Sequence, residues 1–450
     1  MKFFIVGGLA VVALVFGWNF IVPTEEIVVY PSSRASGKNA LNEEKTPEER
    51  IKEAEERASV IKGLYMTADV ANDQGAGATR LRKEIIRLAE ETEINGIVID
   101  VKEVCGPDYN EKNLKKLLEE LREKNIWAIA RIAVSKDASQ INVHPEWYLT
   151  RAKYKVAGDE CARKKYLRAK PSGNQLLVTS NQPLWQDKRG GYWIDPTSQG
   201  AREYLLSISK KMADFGFDEI QFDYIRFPSD GDIENIIYPA YDKKTSKCKV
   251  MQDLFGFLHS NLKAHKPELI LSADMFGYAA IGIDTGIGQC LETVGNNFDF
   301  VSFMVYPSHY YSGLSLRGIP ELKLPPVSFN IDEARKNPGV VVGRSLAFGR
   351  DYFAGIIDRL GKYINATSTA TTSLANVGVI PETLERVPKS RVKSRPWLED
   401  FYHEDDKARG APYGADKVRL QIDAAESVEN HGWLLWNAAN IYTKDALKAE

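Results

Sequence analysis

The chain predicts an α/β fold, a (β/α)8 TIM barrel with enlarged loops after strands 3 and 6. Three observations carry that expectation. Eight short apolar runs end in polar residues, helix-period segments alternate with them, and no complete glycine-rich phosphate loop follows the first run. A doubly wound open sheet is the competing architecture. Its fingerprint is poorly met, because Gly75-Ala-Gly77-Ala-Thr-Arg80 lacks the third glycine.

The first 23 residues predict a membrane anchor or uncleaved signal. Phe3 to Val22 carries no charge, and as a helix rising about 1.5 Å per residue it spans a hydrocarbon core. Pro23, Thr24, Glu25 and Glu26 follow without a small-x-small cleavage triplet, and a cleaved signal is the alternative. Lys2 on one side and Arg34 and Lys38 on the other nearly balance the positive-inside count. The short Met1–Lys2 leader still resembles an export signal, so the expectation is a single-pass membrane protein with its bulk outside the cytoplasm. Residues 24–60 read as a polar, charged linker, Glu/Lys/Arg-rich from Asn42 to Arg57 and ending in a solvated helix. The barrel is expected over residues 61–450.

Within it, strands are expected at Gly63–Asp69, Asn95–Lys102, Ile126–Val134, Asp218–Phe227, Leu269–Gly277, Phe298–Tyr306, Arg395–Phe401 and Gly432–Asn437. Continuous apolar runs of this length suit strands covered on both faces of a parallel sheet. Helical stripes lie between them. Leu81, Ile85 and Leu88 form the first, Leu114, Leu117, Leu118 and Leu121 the second, and Tyr204, Leu205, Ile208 and Met212 the third. Met251, Leu254, Phe255, Leu258 and Leu262 form a fourth, followed by Ile287, Leu291 and Val294. Phe353, Ile356, Ile357 and Leu360, then Val418, Ile422 and Ala425, complete the set.

Composition narrows the function classes. A hydrophobic content of 44% with 10% aromatic residues excludes a disordered chain. Lys and Arg number 59 against 61 Asp and Glu, and that balance argues against a nucleic-acid partner. The four cysteines, Cys105, Cys161, Cys248 and Cys290, are too few for a disulfide scaffold and permit either redox compartment. The six histidines show neither H-x-H nor H-E-x-x-H spacing, and no G-x-S-x-G or P-loop signature occurs. A carboxylate-bound divalent ion is the alternative; the expectation is no metal and no cofactor.

In barrels, chemistry sits at the C-terminal ends of the strands. Here those positions hold Asp69, Asp100, Glu103, Asp223, Asp274, Tyr306, His309, Glu399, Asp400, Asn437 and Asn440. Aromatic residues are interleaved, among them Tyr65, Tyr224, Trp397 and Trp436. Paired carboxylates beside aromatic faces suit glycosidic hydrolysis, in which one carboxyl protonates the leaving oxygen and another attacks or activates water. Gln221, Asp223 and Ile225 would share the inner face of strand four, with Arg226 a possible partner for Asp223. A buried Asp–Arg pair that only shapes the strand end is the competing reading for Asp223. Asp100 has Lys102 beside it as an ion-pair candidate, and Asp69 is equally well read as a loop cap.

Gly216-Phe-Asp-Glu-Ile-Gln-Phe-Asp-Tyr-Ile-Arg-Phe-Pro-Ser-Asp-Gly231, Leu271-Ser-Ala-Asp-Met-Phe-Gly277 and Met304-Val-Tyr-Pro-Ser-His-Tyr310 resemble a bacterial family of glycoside-hydrolase-like proteins, catalogued mainly as a TIM-barrel domain of unknown function. Asp284-Thr-Gly-Ile-Gly-Gln289, Arg395-Pro-Trp-Leu-Glu-Asp-Phe401 and Gly432-Trp-Leu-Leu-Trp-Asn437 match further pieces in order, covering about Lys62 to Thr443. The resemblance implies a glycosidase barrel with Asp223 as the strand-four nucleophile and Asp274 as candidate acid/base. The chain departs from the family pattern at Phe303, at Glu399 and in the loop Glu103-Val-Cys-Gly106, and the region Ser312 to Ser394 matches no motif.

The expectation is therefore a membrane-anchored glycoside hydrolase acting, with retention, on an envelope or extracellular polysaccharide. Asp223 and Asp274 are its expected catalytic pair. Asp69, Asp100, Arg226, Tyr306, His309, Trp397, Asp400, Trp436 and Asn437 are the expected substrate contacts. A catalytically silent glycan-binding barrel is the alternative from another class, and a transglycosylase a third. Expected partners are the glycan and, through the N-terminal helix, the membrane, without nucleic acid; the sequence does not identify protein partners.

Overall fold

The computed structural model describes residues 45–152, 158–170, 183–318, 325–357, 390–401 and 413–449. The expected membrane segment Phe3–Val22 lies outside the described residues, as does most of the 24–60 linker. No helix among the described residues is long and apolar enough to cross a membrane.

Eight strands form the closed sheet: β1 (Ile61–Met66), β2 (Gly96–Glu103), β3 (Trp127–Ala133), β4 (Glu219–Asp223), β5 (Ile270–Phe276), β6 (Phe300–Met304), β7 (Trp397–Glu399) and β8 (Gly432–Trp436). Each pairs in parallel with the next, and β8 pairs with β1, so the sheet has no open edge. The open doubly wound alternative is thereby excluded.

Strand alternation sorts the side chains into two cores. Ile97, Ile99, Ala128, Ala130, Ile132, Ile220, Phe222, Leu271 and Ala273 point outward into the layer shared with the helices. Tyr65, Val98, Trp127, Ile129, Ile270, Phe300, Trp397 and Leu434 fill the barrel. At the bottom, Arg395 and Glu219 form a fully buried pair at 2.9 Å, and Glu219 also accepts from Trp127 Nε1 at 3.1 Å and Ser272 Oγ at 2.5 Å. This satisfies a charge that would be costly if left alone. Higher up, Gly63 leaves room for Leu434 on the axis: a Cβ there would lie 2.6 Å from Leu434 Cδ2.

Helix α1 (Pro47–Ala58) starts with a Thr46–Glu49 capping box and covers the bottom of the barrel. Arg57 pairs with Asp218 at 3.6 Å and lies over the Trp127 ring, while Arg50 reaches Glu268 at 3.7 Å. The short α2 (Ala68–Asn72) caps β1; α3 (Ala76–Glu91), α4 (Glu111–Glu123), α5 (Gln199–Phe215) and α6 (Lys247–His265) then pack outside it. They are followed by α7 (Leu291–Val294), α8 (Ile331–Lys336), α9 (Pro338–Phe353) and α10 (Ala415–Val428).

Two helical expectations need correcting. Ile287 lies ahead of α7 in a loop held by Asp284 Oδ1, which accepts from the Ile287 N–H, so the three-residue stripe contracts to Leu291–Val294. The stripe from Phe353 to Leu360 sits at and beyond the end of α9, where Ile356 is exposed; Leu360 lies outside the described residues. Between β3 and α5, and between β6 and β7, the chain makes the long excursions the sequence predicts. A third, from Tyr224 to Ser246, was not foreseen; Ile236–Ile237 in it pairs antiparallel with Thr150–Arg151 of the β3 excursion.

All four cysteines are paired, Cys105 to Cys161 and Cys248 to Cys290. The first bond ties the β3 excursion to the turn after β2, and the second ties α6 to the segment after β5.

Candidate active site

The site is assembled around an arginine. Arg131 is an inward residue of β3, and its guanidinium meets carboxylates from three other strands. Nη1 lies 2.5 Å from Asp100 Oδ1 on β2, Nη2 contacts Asp223 Oδ2 at the end of β4, and Nε lies 3.7 Å from Asp274 Oδ2 on β5. The register Phe222↔Ala273 sets Asp223 and Asp274 level on adjacent strands. Their Cα atoms are thus separated by about the 4.7–4.9 Å interstrand spacing.

Three carboxyls around one cation cannot all be charged cheaply in a buried site. Asp274 is 1% exposed, and burial together with the neighbouring Asp223 carboxylate pushes its pKa well above the ordinary value. Trp397 Nε1 donates to Asp274 Oδ1 at 2.8 Å. Oδ2 has no hydrogen-bond partner among the described residues, which makes it the oxygen open to a proton. Burial also raises Asp100, against the opposing pull of Arg131 and the Tyr65 hydroxyl that donates to it.

Local backbone places these groups. Tyr224, directly after Asp223, has φ of 50°, an uncommon conformation for a non-glycine residue and one that recurs at functional sites. Its N–H donates to Asp223 Oδ1 at 2.5 Å. The turn breaks strand alternation, so Ile225 joins the outer core with Ile220 and Phe222 instead of sharing the face of Gln221 and Asp223. At the end of β5, Gln289 Nε2 donates to Asp274 O at 3.1 Å and Gln289 Oε1 accepts from Phe276 N–H at 2.8 Å.

An aromatic wall rises from the carboxyls to the surface. Tyr306 is buried close enough to Asp274 and Asp223 for both charges to raise its hydroxyl pKa, after burial itself. Its ring meets Trp436 at 6.0 Å, Phe401 at 5.7 Å and the exposed His309 at 5.1 Å. Tyr65 joins Trp436 at 6.2 Å from the other side. Trp397 is buried, its ring against Tyr65, so it backs the site and holds Asp274.

The remaining candidates spread out. Asp69 stands exposed on α2, where Lys164 reaches it at 3.4 Å along with Glu103 and Asp108, and so it follows β1 and does not close it. Arg226 is buried with its guanidinium over Phe276, Trp193 and Tyr224, and its Nη1 donates to Phe227 O and Ser229 Oγ. The ion-pair partner of Asp223 is Arg131 instead. Lys102 likewise pairs not with Asp100 but with Asp137, at 2.8 Å and fully buried, because a register shift interrupts β2 after Asp100.

Asp400 accepts from Thr443 N and Oγ1, and burial pushes its pKa up to about 6. Asn437 Nδ2 donates to Asp400 O and Ile441 O, so this pair ties the ends of β7 and β8 together. Glu399 Oε2 accepts from Ser308 N and Oγ and thereby anchors the segment carrying Tyr306. Glu103, raised to about 7 by burial and then by Asp100, borders the site on the β2 side.

Arg131 is the residue the sequence reading missed. Its signal was a lone charge inside Trp127-Ala-Ile-Ala-Arg-Ile-Ala133, an apolar strand. An arginine there has to meet anions from other strands.

Residues 63–442 match a family described as "Putative glycosyl hydrolase domain". The chain belongs to this family. The matched span takes in Arg131 and all three carboxylates, and membership makes the chain a glycosidase by class. No curated protein matches it. Among solved structures, the chain is similar to a hypothetical protein from Ruminiclostridium thermocellum ATCC 27405, with 24% identity, 47% of this chain and 96% of that one covered, and a TM-score of 0.35. It is also similar to the glycoside hydrolase domain of PgaB (BpsB) from Bordetella bronchiseptica, with 11% identity, coverage of 85% and 95%, and a TM-score of 0.47. The glycoside hydrolase domain of PelA from Pseudomonas aeruginosa gives 10% identity, coverage of 85% and 96%, and a TM-score of 0.36.

Proposed function

We propose that this member of the glycosyl hydrolase family cleaves glycosidic bonds with retention, Asp223 acting as nucleophile and Asp274 as general acid and then base. The observation that carries the reading is the shared guanidinium. Arg131 draws together carboxyls from adjacent strand ends, and of the two facing each other Asp274 is the one biased toward its protonated form.

In the first step, the proton on Asp274 passes to the glycosidic oxygen as its bond to the anomeric carbon breaks. Asp223 forms a bond to that carbon from the opposite face. In the second step, Asp274, now a carboxylate, takes a proton from water while the water oxygen attacks the anomeric carbon and releases Asp223. Arg131 fixes the Asp223 oxygen it touches, and Trp397 fixes the orientation of Asp274. Trp436, Phe401 and Tyr306 offer flat apolar faces to a sugar ring. Tyr306 stands nearest the carboxyls, and the exposed His309 lies beside its ring.

The substrate in this reading is an envelope or extracellular polysaccharide, and residues 3–22 hold the enzyme on the membrane with its barrel outside the cytoplasm. Pairing of all four cysteines supports that placement, since stable disulfides belong to oxidising compartments. The test is release of reducing ends from a panel of polysaccharides and aryl glycosides. Asp274→Asn should lower kcat by about 10²–10⁴-fold, and Asp223→Asn by at least as much. Full activity in Asp223→Asn would overturn the assignment, and binding without turnover in the unaltered protein would favour a glycan-binding barrel.

A further inference from the structure

The excursion between β6 and β7 carries a second cavity, of about 160 Å³, away from the carboxyls. It is framed by Ile281 in the turn after β5, by Leu316 and Arg317 of the short hairpin Leu314–Leu316 with Val327–Phe329, and by Arg344 and Phe348 of α9. Spacing of four and three puts Arg344, Phe348 and Asp351 on one face of α9. None of these residues belongs to the site around Arg131.

Arg344 is the anomaly. It is 9% exposed, its Nη2 is buried without a hydrogen-bond partner, and no acidic group pairs with it among the described residues. Asp351, the one carboxylate among the described residues that line the cavity, is instead taken by Arg350, at 2.9 Å from Nε and 2.7 Å from Nη2. Burial pulls the Arg344 pKa down. A buried guanidinium nitrogen left without a partner is expensive, and such a group calls for a partner such as a bound ion. Arg317 supplies a second cation at the rim, its guanidinium 5.7 Å from the centroid of the Phe348 ring.

We propose that this cavity binds an oxyanion, a phosphate or carboxylate held by Arg344 and Arg317. Guanidinium forks suit both groups. The volume is below the roughly 300–1,000 Å³ of drug-sized sites, so the occupant is free phosphate or a compact acid such as a single acidic sugar, not an oligosaccharide. Phe348 and Leu316 offer an apolar floor to a carbon skeleton. This reading is independent of the hydrolytic one: either can fail alone.

The test uses the full chain and measures thermal midpoints with inorganic phosphate, glucose 6-phosphate, glucuronate and neutral glucose, at matched ionic strength. The three anions should raise the midpoint by mass action, while glucose leaves it unchanged. Arg344→Met should abolish the shift. Arg317→Gln, an exposed change compatible with folding, should weaken apparent affinity about tenfold. A stronger effect of the sugar acids than of phosphate would assign the site to sugar-borne acids, and equal effects to the free anion. The proposal is overturned if no anion shifts the unaltered protein, or if the shift survives in Arg317→Gln and in folded Arg344→Met.

Discussion

Trp397 Nε1 donates to Asp274 Oδ1 at 2.8 Å, which leaves Oδ2 as the carboxyl oxygen without a hydrogen-bond partner among the described residues. With Oδ1 engaged as an acceptor, a proton held by Asp274 in the proposed mechanism would sit on Oδ2, on the side of Arg131. An apolar tryptophan thus acts through its one polar atom, with its ring locked against Tyr65.

Trp397→Phe removes the donor while keeping a ring in place. The indole N–H lowers the Asp274 pKa, so its loss moves that pKa further up. The alkaline limb of kcat should shift to higher pH, and kcat at neutral pH should fall because the carboxyl loses its fixed orientation. A pH–rate profile that keeps its alkaline limb in place would show that the bond does not tune Asp274.

Arg131→Met leaves Asp100, Asp223 and Asp274 without their shared cation. Breaking a buried pair in this way costs about 3–5 kcal/mol. The orphaned carboxyls then hold protons more tightly folded than unfolded, so the variant's stability should rise as pH falls toward the unfolded carboxylate values near 4. Urea denaturation at pH 5 and pH 8 checks the sign, with the larger deficit expected at pH 8.

Native stability should also lean acidic. Burial raises Asp400 to about 6 and Glu103 and Glu429 to about 7, so each binds its proton more tightly in the folded state. Their stabilisation is complete below the unfolded values near 4 and is lost as pH climbs through 6 and 7. Glu426, lowered to about 2 and bonded by Lys62 and Lys448, acts oppositely and loses its contribution as pH falls from 4 toward 2. These carboxyls should therefore lower the thermal midpoint as pH rises from about 5 to 7, opposed by His259 and His431, whose pKa values burial lowers, and Asp400→Asn should weaken the fall up to pH 6.

The Cys105–Cys161 bond closes a sequence separation of 56 residues. In the chain-entropy account a loop of that length stabilises by about 4 kcal/mol. Cys105→Ser/Cys161→Ser should lower the thermal midpoint and open the β3 excursion to proteolysis while leaving β4 and β5 protected. Unchanged proteolysis would show that the excursion is held by its other contacts, such as the pairing of Lys136 with Glu160 and Asp187.

The strands were legible because a parallel barrel buries both faces of each one, and apolar runs such as Asn95–Lys102 have no other common explanation. The placement of Asp223 and Asp274 at strand ends around Arg131 was legible in part, because polar residues closing such runs lie at the barrel mouth. Arg131 was visible as a charge but not as a centre, since its partner Asp223 lies 92 residues away and only barrel closure unites them. Both cysteine pairings were hidden for the same reason, at separations of 56 and 42. Asp69 was misplaced because Thr67 caps α2 and ends β1 early, a local competition between a side-chain cap and the strand. The Arg344 cavity sits in a region without a recognisable motif, and only packing shows that its guanidinium meets no acid among the described residues.

The central claim is a retaining pair formed by Asp223 and Asp274, and the product's configuration tests it most directly. Hydrolysis of an active glycoside should be followed by ¹H NMR in D₂O during the first turnovers, before mutarotation mixes the anomers. The account predicts a first-formed sugar with the anomeric configuration of the substrate. A first-formed product of opposite configuration would contradict it and make Asp223 a base acting through water.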